Sequence, residues 1–253
     1  MSDYDRNATS RFGAAATRAS SATLDQGLRS YMLGVYNYMA SGLAITGLVA
    51  YAANMLGTTN VNGHMALTDF GRTIYVGPLH WLIILAPLGF VMFLSVGLNR
   101  MSAATARVSF YAFAAAMGLS TSILLLVYTS SSVANAFFVT AATFGALSLY
   151  GYTTTRSLSA MGSFLYMALI GLVIASVVNL FVHSGPFQYA LSVISVLIFS
   201  GLTAWDTQAI KEMYMESDST EMAAKKSING ALMLYLDFIN IFQSLLMIFG
   251  DRR

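Results

Sequence analysis

The chain contains no cysteine. That excludes disulfides, thiolate metal sites and a cysteine nucleophile. Charge is also scarce: Asp, Glu, Lys and Arg make up only 9% of its 253 residues, against about 25% in a soluble domain. The net charge of +2 is small, and the basic residues do not gather with surface aromatics, so nucleic acid is not an expected partner. There is no phosphate-cradling glycine loop, no HExxH and no Ser–His pairing in a suggestive context. His64, His80 and His183 stand without metal-ligand spacing. No cofactor is expected.

Apolar surface is what the chain has in excess. Hydrophobic residues make up 57% of it, and the mean hydropathy is +0.65. One soluble core could not hide so much, which makes lipid the expected solvent. Seven segments are long and apolar enough to span a bilayer as helices: 32–56, 78–98, 105–128, 133–154, 161–182, 187–210 and 229–249. These runs are continuous and lack period-two alternation, which predicts helices rather than barrel strands. The expected fold class is therefore all-α, a polytopic membrane protein. Small residues recur at four-residue spacing in Ala112, Ala116 and Ser120, in Ala141 and Gly145, and in Gly171 and Ala175, which predicts close helix packing there. Residues 1–30 are rich in Ala, Ser, Thr and Arg and lack an apolar run. They are no secretory signal and read as a disordered cytoplasmic tail ahead of a membrane domain over 31–253.

Orientation follows from Lys and Arg. With the N-terminus inside, ten of the thirteen basic residues fall on the cytoplasmic side, as cytoplasmic loops require. Arg72, Arg252 and Arg253 fall outside. A seventh segment that dipped in and returned would bring the last two inside, and charge counting does not separate the two cases. The stretch Lys211–Ile228 holds the densest charge of the membrane domain and reads as a solvated linker.

Only two of the eleven acidic residues lie within apolar segments, Asp206 and Asp237. A charged Asp at a helix centre costs about 2.5–3.5 kcal/mol on insertion scales, so each needs a partner, water or a proton. Asp206 lies five residues before Lys211 and Asp237 eight after Asn229, which puts them roughly 7 and 12 Å from the same membrane face. If the helices are neighbours, the carboxylates meet and share one proton. Such a pair is a pH sensor. Doubly ionised, it offers hard oxygen ligands to calcium, though two donors suffice only for weak, transient binding. The alternative is a structural role, each Asp bonded to a polar group on another helix. Asn240 follows Asp237 by three residues on roughly the same face; it lines the same cavity or glues helices. Arg100, at the inner end of the second segment, either snorkels to headgroups or reaches the pair.

The stretches GLTAWDTQAIKEMY and GALMLYLDFINIFQSLLMIFG carry a family likeness. With SFYAFAAAMGLS, AFFVTAATFGALSLYGYTTTRSLS and GSFLYMALIGLVIASVVN, they resemble the Bax inhibitor family of membrane proteins from about residue 30 onward. The resemblance implies seven transmembrane helices, six surrounding a central C-terminal helix. It implies a pH-sensitive calcium leak with an aspartate pair on the last two helices, here Asp206 and Asp237. It also implies a basic residue on the second helix that contacts the pair and helps close the pore, for which Arg100 is the nearest match. Trp205 stands where the family usually has Tyr. Bacterial members resemble modulators of membrane-bound quality-control proteases, and the short loops point to a bacterial inner membrane.

Three functions are therefore expected in competition. The first is a non-enzymatic calcium-permeable leak gated by protonation of Asp206 and Asp237. The second is a non-transporting membrane regulator of a protease or other partner. The third is an intramembrane aspartyl protease, whose dyad would activate water, although Asp237 lacks a glycine-flanked context.

Overall fold

A backbone in lipid must satisfy its own N–H and C=O groups, and each expected apolar segment does so as a helix. A computed structural model describes the backbone of residues 3–61, 64–98 and 100–253, and side chains from Gln26 onward except at 60–64 and 99. The elements run α1 (Asp3–Gly57), β1 (Thr58–Val61), β2 (His64–Leu67), α2 (Asp69–Tyr75), α3 (Leu79–Gly97), α4 (Ala103–Thr121), α5 (Leu124–Val127), α6 (Ser130–Thr153), α7 (Ser159–Val182), α8 (Gly185–Glu212) and α9 (Thr220–Phe249). Seven spans are long and apolar enough to cross a membrane: Gln26–Gly57, Leu79–Gly97, Ala103–Val127, Ser130–Thr153, Ser159–Val182, Gly185–Glu212 and Thr220–Phe249. The tail expected over residues 1–30 falls mainly on 1–25, whose side chains lie outside the described residues.

Neutral hydroxyls start most of these helices. Ser102, Thr129, Ser184 and Ser219 cap α4, α6, α8 and α9, each side chain accepting from a backbone N–H in the first turn. The gap between the first two expected segments, Gly57–Gly77, holds more structure than a simple turn. β1 and β2 pair antiparallel, with Thr58 opposite Leu67 and Val61 opposite His64. Thr68 then accepts from Gly71 N and donates to the Leu56 carbonyl at 2.8 Å, so one residue closes α1 and opens α2. The stretch Lys211–Ile228 is also more ordered than a solvated linker. α8 continues to Glu212, α9 begins at Thr220, and Lys226 ties the turn between them by donating to Met213 O and Asp218 Oδ2.

α9 is the central helix and the most buried span. α1, α4, α6 and α8 pack on it; α3 packs on α4 and α7 on α8. Tyr235 is fully buried at its heart, with Phe110 and Phe113 of α4 edge-on at 6.1 and 5.2 Å between ring centroids. α9 also crosses completely. Beyond it, Thr129 N donates to Asp251 O at 3.0 Å, Arg253 N donates to Val127 O at 3.0 Å, and Asp251 N donates to Ser132 Oγ at 2.9 Å. Residues 251–253 are thereby held at the α5–α6 turn, at the end of the bundle away from the α8–α9 turn. The end carrying Arg29, Arg107, Arg156 and Lys211 is called the basic end below.

The four-residue spacing of small residues does not find all the close contacts. Gly145 and Gly171, two positions it singles out, face open space. Backbones meet instead at Gly151, where a Cβ would fall on the Ala204 carbonyl of α8, and at Gly118, where it would lie 2.7 Å from Thr46 O of α1. Spacing identifies a helix face but not which neighbour it meets. Gly151→Ala is expected to destabilise the protein by about 1–3 kcal/mol through overpacking, while Gly145→Ala does not. Denaturant titration in mixed micelles distinguishes the two.

Candidate functional site

α8 and α9 are antiparallel neighbours joined by a short turn, so residues at similar depth from the basic end face each other. Asp206 and Asp237 are such a pair. Their carboxyl groups lie within hydrogen-bonding reach of one another, and both residues are buried, at 5% and 3% exposure. Asp206 Oδ1 and Asp237 Oδ2 are enclosed and find no donor among the described residues. An ionised carboxylate only accepts hydrogen bonds, so two ionised groups would leave these oxygens unsatisfied at a cost of about 1–3 kcal/mol each or more.

The surroundings supply hydroxyls rather than cations. Thr203, one turn before Asp206 and fully buried, sits beside the Asp237 carboxyl and donates to Phe199 O at 2.8 Å. Thr207 is fully buried too and joins Ser148 of α6 at 3.0 Å; Ser148 in turn meets Tyr36 of α1 at 2.6 Å. Lys211 is turned away, donating to Tyr152 O at 2.9 Å with its ammonium 5.2 Å from the Tyr152 ring centroid. Among the described residues the salt bridges are Lys225–Glu221 and Lys226–Asp218, both near the α8–α9 turn. The structure does not bring Arg100 to the pair. It is exposed in the turn after α3, a helix that packs on α4 and α2, and it forms no ion pair with either aspartate. Trp205 packs outward against α7, edge-on to Tyr166 at 5.3 Å, over Gly162 where a Cβ would strike the indole.

Asn240 donates to Leu236 O at 2.8 Å. With Ser244 it lines a cavity of about 380 Å³ between α7, α8 and α9. A second cleft of about 490 Å³ shares Asn179, Gln188, Ser192 and Met247 with the first and reaches the end opposite the basic one, at Tyr128, His183 and Arg252. Together they lead inward from that end to Asn240, one helical turn from Asp237. Sequence reasoning missed most of this lining. Asn179 Nδ2 donates to Gln188 Oε1 at 2.7 Å, Ser244 donates to Ser195 at 2.8 Å, and Gln188 and Ser192 both donate to Met247 Sδ. The available signal was the polar stripe of Gln188, Ser192 and Ser195 at i, i+4 and i+7 on one helix face.

No group of three or more His, Asp or Glu suited to a metal occurs among the described residues. The aspartate pair alone offers too few oxygens for a tight divalent site. Chemically, the arrangement can hold and release a proton between two helices, one turn from a cavity of mixed polar and apolar lining.

Comparison with known proteins bears on the whole domain. The family model described as "Inhibitor of apoptosis-promoting Bax1" matches residues 28–253. "Uncharacterized protein RP147" of Rickettsia prowazekii is 44% identical over 253 residues, covering all of both chains. "Inner membrane protein YbhL" of Escherichia coli K12 is 45% identical over 230 residues, covering 90% of this chain and 94% of the relative. An uncharacterized protein of Caulobacter vibrioides is 42% identical over 233 residues, covering 91% and 92%.

Proposed function

This chain belongs to the Bax inhibitor family, and from that premise we propose that it is a pH-sensitive cation leak that passes calcium across a bacterial inner membrane. Its gate is the proton shared by Asp206 and Asp237. The observation that carries this reading is a buried carboxyl pair with no cation partner among the described residues, one helical turn from a cavity that approaches from one end of the bundle and carries Asn240, Ser244 and Gln188 in its lining. One proton gives the pair the donor that two carboxylates lack. Thr203 does not replace it, because its hydroxyl already spends its proton on Phe199 O. Loss of the proton sets two like charges on adjacent helices inside lipid, where their repulsion acts on the packing of α8 against α9. Calcium is the cargo, passing carboxylates that hold it weakly.

The basic end faces the cytoplasm in this reading, because Lys and Arg concentrate there. In spheroplasts, external protease is expected to remove an epitope placed after Arg253 and to spare one placed before Met1. The functional test is calcium entry into proteoliposomes containing the purified chain, followed with an indicator dye across a pH series. Entry above that of protein-free vesicles, changing with pH, is the expected result. Absence of flux at every pH removes the leak and leaves the non-transporting regulator.

A further inference from the structure

α1 and α6 both lie against α9, yet they do not pack closely on each other. They leave a seam open to the bilayer, and two cavities lie along it. The one toward the basic end, about 540 Å³, is lined by Arg29, Leu33 and Tyr36 of α1 and by Phe144, Gly145 and Tyr152 of α6, among others. The one toward the opposite end, about 360 Å³, runs past Gly47 of α1 and Phe137 and Phe138 of α6, over a floor of Phe238 and Phe242. Gly145 and Gly47 face these spaces, and a Cβ at either would meet nothing within 4 Å. The seam is therefore an unfilled furrow between two spans, not a tight helix contact.

The two halves differ in one respect. Among the described residues, Arg29 is the only charged one lining the first cavity, and the second has none. Arg29 is exposed at the start of the first span, three residues after Gln26, where a headgroup would lie. A second cation stands nearby, since the Lys211 ammonium lies over the Tyr152 ring. The rest of the first cavity is almost wholly apolar. A cation at the interface above an apolar furrow about 10 Å long, from Arg29 to Tyr36, matches one amphiphile: a phosphate with an acyl chain below it. Guanidinium groups pair readily with phosphate.

We propose that the α1–α6 seam at the basic end is a binding site for an anionic phospholipid, its phosphate on Arg29 and one acyl chain along Leu33, Phe144 and Gly145. The chain then covers the hydroxyl cluster of Tyr36, Ser148 and Thr207, which reaches α8 one residue from Asp206. The site stands whether or not the protein conducts calcium.

The test is native mass spectrometry of the delipidated full chain titrated with phosphatidylglycerol or phosphatidylethanolamine of the same acyl composition, with glycerol phosphate as a free-headgroup arm. Phosphatidylglycerol is expected to be retained about fivefold more strongly. Arg29→Gln should erase that preference, Gly145→Leu should reduce retention of both lipids, and Gly47→Leu, in the other half of the seam, should leave the preference intact. Equal retention of the two lipids by the unaltered chain overturns the proposal, as does unchanged binding in both Arg29→Gln and Gly145→Leu. Displacement of phosphatidylglycerol by glycerol phosphate overturns it as well, because a headgroup alone would then suffice. Arg29 is exposed and Gly145 opens onto vacant space, so neither substitution removes a packing contact.

Discussion

In proteoliposomes, the Asp206→Asn, Asp237→Asn double variant is expected to give calcium flux that no longer changes with pH. Two amides at these positions keep the shape and the hydrogen-bonding capacity of the pair. They carry no proton that leaves in the physiological range. A gate that follows one shared proton changes its open fraction by at most about tenfold per pH unit, so a series over three units reads the effect against a large background. The double variant should be flat over that series. Either single variant also ends the sharing, because an amide opposite a carboxyl group leaves no second acid. Preserved pH dependence in the double variant would remove the aspartates from gating. Changing other buried groups tests the converse: Ser195→Ala and Ser244→Ala alter a hydroxyl pair in the cavity without touching the shared proton, and the pH profile should keep its shape.

Tyr235→Ala should lose about 3–5 kcal/mol of stability, the largest loss expected from a single substitution here. The ring is fully buried between Phe110 and Phe113, on the helix that the rest of the bundle surrounds. Its hydroxyl lies 2.6 Å from Thr46 Oγ1, and that oxygen also lies 3.0 Å from Gly42 O and 2.9 Å from Ala114 O. The carbonyls can only accept, so Thr46 donates to them and Tyr235 donates to Thr46. One side chain thus links α9 to α1 and, through Thr46, to α4. Tyr235→Phe keeps the ring and forfeits only that donated bond, at about 1 kcal/mol. Unfolding in mixed micelles should therefore show a small shift for Phe and a several-fold larger one for Ala. Equal shifts would mean that the hydroxyl network, not ring packing, dominates at this position.

The seven spans were legible because a long apolar run commits a segment to helix by itself, whatever surrounds it. The aspartate pair was legible for a related reason: two acids inside apolar runs stand out, and counting from the charged stretch between the last two segments puts them within about a helical turn of the same depth. The cavity lining was harder. Asn179, Gln188, Ser192 and Ser244 are neutral polar residues of a kind that often joins helices. Which of their faces meets a cavity is decided by how α7, α8 and α9 pack. Gly145 and Gly151 make the same point, since both are glycines of α6 and only one touches a backbone. The full crossing of α9 rests on bonds between 127–132 and 251–253, partners more than a hundred residues apart that no local pattern announces. The placement of Arg100 depended on which helices α3 packs against, α4 and α2 rather than α9, which its sequence does not encode locally.

The helix at the centre follows, in chain order, every other span of the bundle. During synthesis the N-terminal parts of a chain emerge first, so α1, α4, α6 and α8 enter the bilayer before the surface that joins them exists. Until α9 arrives, Phe110, Phe113 and Thr46 have lipid or water where Tyr235 will sit. A nascent chain stalled before α9 is thus a set of inserted helices with an open middle. The short bridge at Tyr128 and Arg252 can form only after α9 has threaded that space, which makes it a marker of completed assembly.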